Sequence, residues 1–317
     1  MTMTNQACPP ILSARKRGRW SRWYVRIPSK VAIFLCVVLF VCFPYPKQLI
    51  RNVEHLRNMQ AMIEPNAPEL VPWEAELRKR LARRASSQPN EPHIAPRGVQ
   101  QEVERFVLEK VMYEWDWNLW GSADYMPTVH EMFEKAKEFG GQVKEDCDGR
   151  AVMAASLLRR LGYQATMVTD LRHVWVTTPE GEWMGPGGEK TMVATSQGTQ
   201  VNWGSAASNF AIGLSYGIAV FPFTREFIIL VTLFVLLLRG WSHWGWALAG
   251  LVFMVQGLLF MRLGFFAPAA VAREVSSWPT WVGLFHVVGA VGSLCIADRV
   301  GKLKKSLKII ESLSANR

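Results

Sequence analysis

The chain has 317 residues, half of them apolar, and a formal charge of +10. Residues 1–30 hold seven Lys/Arg and no acid, residues 298–317 hold six against two acids, and the interior sums to −1. Basicity confined to two tails, each beside an apolar segment, argues against a phosphate-tracking surface and a nucleic-acid partner, and fits the cytoplasmic flanks of membrane helices.

In chain order, residues 1–30 read as a basic cytoplasmic tail and residues 31–46 as an N-terminal membrane anchor. "KVAIFLCVVLFVCFPYP" has the apolar middle of a signal peptide, but bulky "VCFPYP" stands where a small-residue cleavage site belongs, so the segment is read as uncleaved. Its apolar core is short for a bilayer of about 30 Å, so Lys30 or Lys47 is expected to snorkel. Residues 47–98 are punctuated by Pro65, Pro68, Pro72, Pro89, Pro92 and Pro96 and read as a stalk. Within it, Trp73, Leu77 and Leu81 lie at helical spacing behind Pro72, which predicts a short amphipathic helix.

Residues 99–204 read as one α+β domain. Val103, Phe106, Val107 and Val111 form the apolar stripe of a first helix. In "TVHEMFEKAKEFGG", Thr128 and Glu131 offer a capping box and Gly140 and Gly141 a stop. A third helix runs through "DCDGRAVMAASLLRRLG", and "YQATMVTD" and "RHVWVTTPEGEWM" supply strands around a turn. Trp115, Trp117 and Trp120 read as core or groove-wall aromatics.

Residues 205–297 read as a membrane region with about three spans, at 227–238, 246–261 and 278–297, with 209–223 as an interfacial or re-entrant piece. Arg225, Glu226, Arg239 and Arg262 are expected at helix ends, a buried Arg225 or Glu226 being a candidate for function. Residues 298–317 close the chain as a second basic cytoplasmic tail. An anchor plus three spans is an even number, which predicts an integral membrane protein with its soluble domain on the extracytoplasmic side.

The five cysteines are odd in number and unpatterned, which excludes a disulfide framework and a CxxC zinc site. Cys147 alone asks for a chemical explanation. Asp146 is a good N-cap, so Cys147 falls in the first turn of a helix, where unpaired N–H groups favour a thiolate. Cys147, Ala151, Ala154, Leu158 and Leu161 share one face, and the small alanines allow a sheet to approach. Asp146 and Asp148 oppose the thiolate, so a cationic partner is needed. His173 fits: it shares a strand face with Trp175, and packed against the helix start it would pair imidazole with thiol as base and nucleophile. A metal site of Asp146, Asp148, Cys147 and His173 is disfavoured, because hard carboxylates and one thiolate lack a regular ligand spacing.

"DCDGRAVMAASLLRRLGYQATMV" followed by "HVWV" and "GEW" resembles the transglutaminase-like superfamily, the papain-like cysteine enzymes and their bacterial protease-like relatives. In that pattern a Cys opens a helix that ends in Leu-Gly before a strand, and a His-x-Trp strand precedes a Gly-x-Trp turn. The likeness covers about residues 100–190. It implies a transglutaminase-like (papain-like) fold flanked by transmembrane helices, with Cys147 as nucleophile, His173 as base and Trp175 in the site wall. The family's Asp after the second Trp falls here in "EWMGPGGEK", on Gly185 or Gly187, leaving Glu189 as the candidate third catalytic residue and Asn202 as a second choice. Gln142 is a candidate oxyanion donor. The implied activity is thiol-dependent acyl transfer or hydrolysis on the amide of a peptide or protein substrate, with no cofactor or metal required. The alternatives are a catalytically inactive binding module on a membrane scaffold and, more distantly, a transporter.

Overall fold

Helix α7 (Cys147–Arg160) is the axis around which the soluble part is built. Asp146 caps it by accepting from the backbone N–H of Asp148, and Gly162, at φ +93°, lets the chain leave its end. From Ala151 to Leu158 every residue is buried, wider than the single stripe expected, because neighbours pack around it: helices α3 (Leu70–Ser86), α4 (Pro96–Lys110) and α6 (Val129–Ala136), and strands β3 (Thr166–Thr169) and β4 (Val174–Thr178). The computed structural model describes residues 23–86, 95–185, 190–237, 244–263 and 278–314.

β3 and β4 belong to an antiparallel sheet that adds β5 (Gly181–Trp183), β6 (Met192–Thr195) and β7 (Gly198–Val201), in the order β5-β4-β3-β6-β7, with Val168 opposite Trp175. A separate parallel pair, β1 (Met112–Tyr113) and β2 (Lys144–Glu145), sets Tyr113 beside Glu145 at the approach to α7. α5 (Asp116–Leu119) follows β1, and α6 carries the expected capping box between Thr128 and Glu131. The chain is thus a mixed helix-and-sheet protein, as the α+β reading requires.

The stalk is the expectation that fails. Between α2 (Pro46–Arg57) and α3, Met59 is fully buried, as are Leu70 and Leu77 of α3, and all three lie in one core with Phe106 and Met153. Trp73 packs edge-on against Phe106 and Phe133, with ring centroids 5.6 and 5.2 Å apart, and Arg160 holds the Pro65 carbonyl at 2.8 Å. Proline here turns the chain back onto the domain instead of extending it. Pro89 and Pro92 lie outside the described residues.

Among the described residues, three helices are long and apolar enough to cross a bilayer, as an integral membrane protein requires: α1 (Trp23–Cys42), α10 (Trp244–Leu263) and α11 (Trp278–Ser314), the last over Trp278–Ile296. The expected span at 227–238 qualifies only in company. It is part of α9 (Phe223–Leu237), which follows α8 (Trp203–Val220) across a 115° bend at Pro222, and the two can make a fourth crossing only as one broken span. α10 and α11 meet at small residues: a Cβ on Gly257 would lie 2.8 Å from the Gly283 carbonyl. α11 runs on to Ser314, so most of the expected tail of residues 298–317 continues the last span as helix. Glu226 and Arg262 are not simply helix ends. They form a buried pair at 2.6 Å, with the Arg262 guanidinium also over the Phe223 ring. Arg239 lies outside the described residues.

Candidate active site

Cys147 is the first residue of α7, and the backbone N–H of Val174 donates to its sulfur. Val174 opens β4, so the packing of α7 on that strand brings the thiol against the residue that follows His173.

His173 is fixed before the strand begins. Asp170 Oδ1 accepts from the backbone N–H groups of Arg172 and His173, each at 3.0 Å, while Leu171 between them takes φ +74°. His173 therefore precedes the strand it was expected to share with Trp175, but its ring still lies parallel to that of fully buried Trp175, with centroids 6.5 Å apart. Its Nε2 stands 2.6 Å from the Met184 carbonyl. A carbonyl only accepts, so Nε2 carries the proton and Nδ1 is the acceptor nitrogen of the neutral ring. That is the tautomer a base needs if the thiol lies on the Nδ1 side.

The carbonyl that selects this tautomer is itself aimed. Met184 adopts φ +65°, and its N–H donates to Glu104 Oε1 at 2.9 Å. Gly185 then passes under Trp175 so closely that a Cβ would lie 2.5 Å from the Trp175 side chain. A side chain at position 185 therefore has no room there. Gly187 and Glu189 lie outside the described residues.

Two other expectations are corrected. Asn202 accepts from the N–H groups of Gly204 and Ser205, so its side-chain oxygen caps α8. Gln142 spends its amide N–H donors on the carbonyls of Lys110 and Val143, at 3.0 and 3.2 Å, so it is engaged away from any oxyanion.

The helix start does not by itself hold the thiol down, and the opposition expected from Asp146 is present. Burial pushes the Cys147 thiol well up, Asp146 adds to this, and the Val174 N–H opposes it only in part. Asp146 also belongs to an acidic cluster larger than the pair flanking the thiol. Asp116, Glu145, Asp146 and Asp148 each place a carboxylate oxygen within 4.8 Å of the others. Asp116 accepts from the Tyr125 N–H at 2.5 Å and Glu145 from the Trp120 indole at 2.9 Å, yet Asp116 Oδ1 and Glu145 Oε2 are buried with no partner among the described residues. Gly149 makes room for this, since a Cβ there would lie 2.5 Å from Glu145 Cγ. Burial, reinforced by Asp146, pushes the carboxyls of Asp116, Glu145 and Asp148 upward.

Such a cluster must share protons or hold a cation. Oxygens up to 4.8 Å apart can surround one centre at about 2.4 Å, the calcium–oxygen distance, and an all-carboxylate set suits a hard divalent ion. This differs from the Cys/His set weighed from sequence: neither Cys147 nor His173 belongs to it. Sequence reasoning missed Asp116 and Glu145, which nothing local to them marks, and the Met184 carbonyl, which no side chain announces. Asp170 had a signal in "TDLRH", an Asx-turn residue three before the histidine.

No family model, curated protein or solved structure matches the chain. Its fold and site define it as a mixed helix-and-sheet protein with helices long and apolar enough to cross a membrane, and with a helix-initial thiol beside a strand that an imidazole precedes.

Proposed function

We propose that the protein is a transglutaminase-like enzyme of thiol-dependent acyl transfer on peptide amides, displayed on the extracytoplasmic side of a membrane. The observation that carries this reading is the hydrogen bond of His173 Nε2 to Met184 O at 2.6 Å, which leaves Nδ1 as the acceptor nitrogen of an imidazole whose next residue, Val174, meets the Cys147 sulfur through its backbone N–H. Cys147 attacks the amide carbonyl and the S–C bond forms. The thiol proton passes through His173 to the departing nitrogen as the C–N bond breaks. Water or an amine then attacks the thioester, returning the proton and freeing the thiol. Hydrolysis and transfer differ only in that second nucleophile.

The alternative, an inactive binding module, is favoured by the upward push on the thiol and by a backbone carbonyl where a carboxylate would better stabilise an imidazolium. An activated acyl donor separates the two. With p-nitrophenyl acetate, the full chain in detergent should release a burst of one equivalent of nitrophenolate and pass the acetyl group to glycinamide. Cys147→Ala should abolish the burst and His173→Ala slow it by about 10² or more. A burst that survives Cys147→Ala, or none in the unaltered protein, would leave the binding module.

A further inference from the structure

Helix α8 links the membrane region to the site, and its residues divide by face. On one side, Asn209 and Ser205 hydrogen-bond Thr191 next to β6, a Cβ on Gly213 would lie 3.4 Å from Leu171 in the His173 turn, and the Tyr216 hydroxyl hydrogen-bonds Tyr113. Tyr113 interacts in turn with Asp146 and Cys147, and the Arg150 guanidinium lies 5.0 Å over its ring. On another side, Ser215 donates to the Met261 carbonyl of α10 at 3.1 Å and accepts from Thr280 of α11. One helix therefore reaches the turn that leads into His173, through Leu171, and the Tyr113 phenol that interacts electrostatically with Cys147, while standing against α10 and α11.

The anchor reaches the site independently. The last residue of α1, Cys42, accepts at its carbonyl from the Ala123 N–H at 2.7 Å, and the Tyr45 ring fills the space beside Gly121. These residues lie in the loop between Asp116 and Tyr125, which are themselves hydrogen-bonded. Trp203 and Phe210 on α8 expose 78% and 64% of their surface, and Phe223 and Phe227 on α9 are exposed as well, the kind of aromatics found at a bilayer interface. A site approached from two directions by membrane helices sits at the bilayer surface.

We propose that the Cys147 site opens onto the membrane surface, under α8 with Tyr216 as its covering contact, and that its substrate is an amide in the juxtamembrane segment of a membrane-anchored polypeptide. A soluble protein would have to approach through the headgroup layer, whereas an anchored chain presents its first few residues there at high effective concentration. The inference takes its chemistry from the acyl-transfer reading and its geometry from α8 and α1.

A depth-resolved labelling experiment tests it. The full chain is placed in phosphatidylcholine vesicles and offered a chloroacetamide peptide coupled to a dipalmitoyl lipid through four or twenty Gly/Ser residues, with alkylation of Cys147 followed by peptide mass spectrometry. Effective concentration falls roughly as the −3/2 power of tether length, so the short tether should label about tenfold faster. Tyr216→Ala should raise both rates severalfold while keeping their ratio, and Tyr216→Phe, which removes only the hydroxyl, should raise them less. Equal rates or faster labelling by the long tether would overturn the surface location, and rates unmoved by Tyr216→Ala would overturn the cover. Repeating the series on His173→Ala keeps the two readings apart. If acyl transfer fails, that change leaves the rates alone and the tether ratio still stands.

Discussion

His173 donates its Nε2–H to the Met184 carbonyl at 2.6 Å, so the imidazole is oriented by backbone where related chemistry commonly uses a carboxylate or amide. The arrangement is rigid because each end is held: Asp170 fixes the His173 backbone, and Glu104 fixes Met184 in its left-handed conformation.

Glu104 is therefore a positioning residue. Glu104→Ala frees the Met184 N–H and should cost about 1.5 kcal/mol of orientation, roughly tenfold in the His173-dependent part of acyl transfer. Glu104→Gln should restore most of it. Single-turnover rates with the activated ester, compared at matched far-ultraviolet dichroism, check this.

Gly185→Ala should be more damaging than an exposed turn substitution, because its methyl group would collide with Trp175 and push Met184 off the ring. The expected result is loss of the nitrophenolate burst together with destabilisation of about 1–3 kcal/mol, read from thermal or urea unfolding.

The acidic cluster predicts an unusual pH dependence. Asp116, Glu145 and Asp148 have carboxyls raised above the unfolded value near 4, so between that value and the raised one the native state binds protons that the unfolded chain has lost. Their contribution to stability is therefore greatest in acid and falls as pH rises. Melting temperature should drop from pH 5 to pH 8, and Glu145→Gln should flatten the slope. Calcium should raise the melting temperature at pH 8 by the linkage expected of a native-state ligand, about 2.7 kcal/mol at a hundredfold excess over Kd, and much less at pH 5. A flat profile with no calcium effect would leave the cluster as proton-sharing acids alone.

In the membrane region, Glu226→Gln strips the buried Arg262 of its countercharge and should destabilise the helical part by about 3–5 kcal/mol. Replacing both residues by leucine should recover most of that loss. Unfolding in mixed micelles measures each step.

The helices and strands that hold the site were legible where the signal is local. Thr128 and Glu131 sit three apart, Asp146 precedes a run of helix formers, and the His173 ring lies on the same side as that of Trp175, two residues on; each follows from neighbours within one turn or one pleat. What stayed hidden depends on distant partners. Met59 and Leu77 look like stalk residues until a core some 30 to 100 residues further along covers them. Asp116 meets Glu145 only because α5 and β2 pack together, and Tyr216 reaches Tyr113 across about a hundred residues of chain. The upward push on the thiol was half hidden for the same reason: the favourable helix start and the opposing Asp146 were visible, but the burial and the assembled acids were not.

The most direct test of the central claim is the rate of Cys147 alkylation by iodoacetamide from pH 5 to 10, in the unaltered chain and in His173→Ala. If Nδ1 of His173 takes the proton from the Cys147 thiol, the unaltered protein should react at neutral pH at least about tenfold faster than the variant, with the two converging in alkali. Superimposable profiles across the whole range would contradict the pairing and with it the acyl-transfer account.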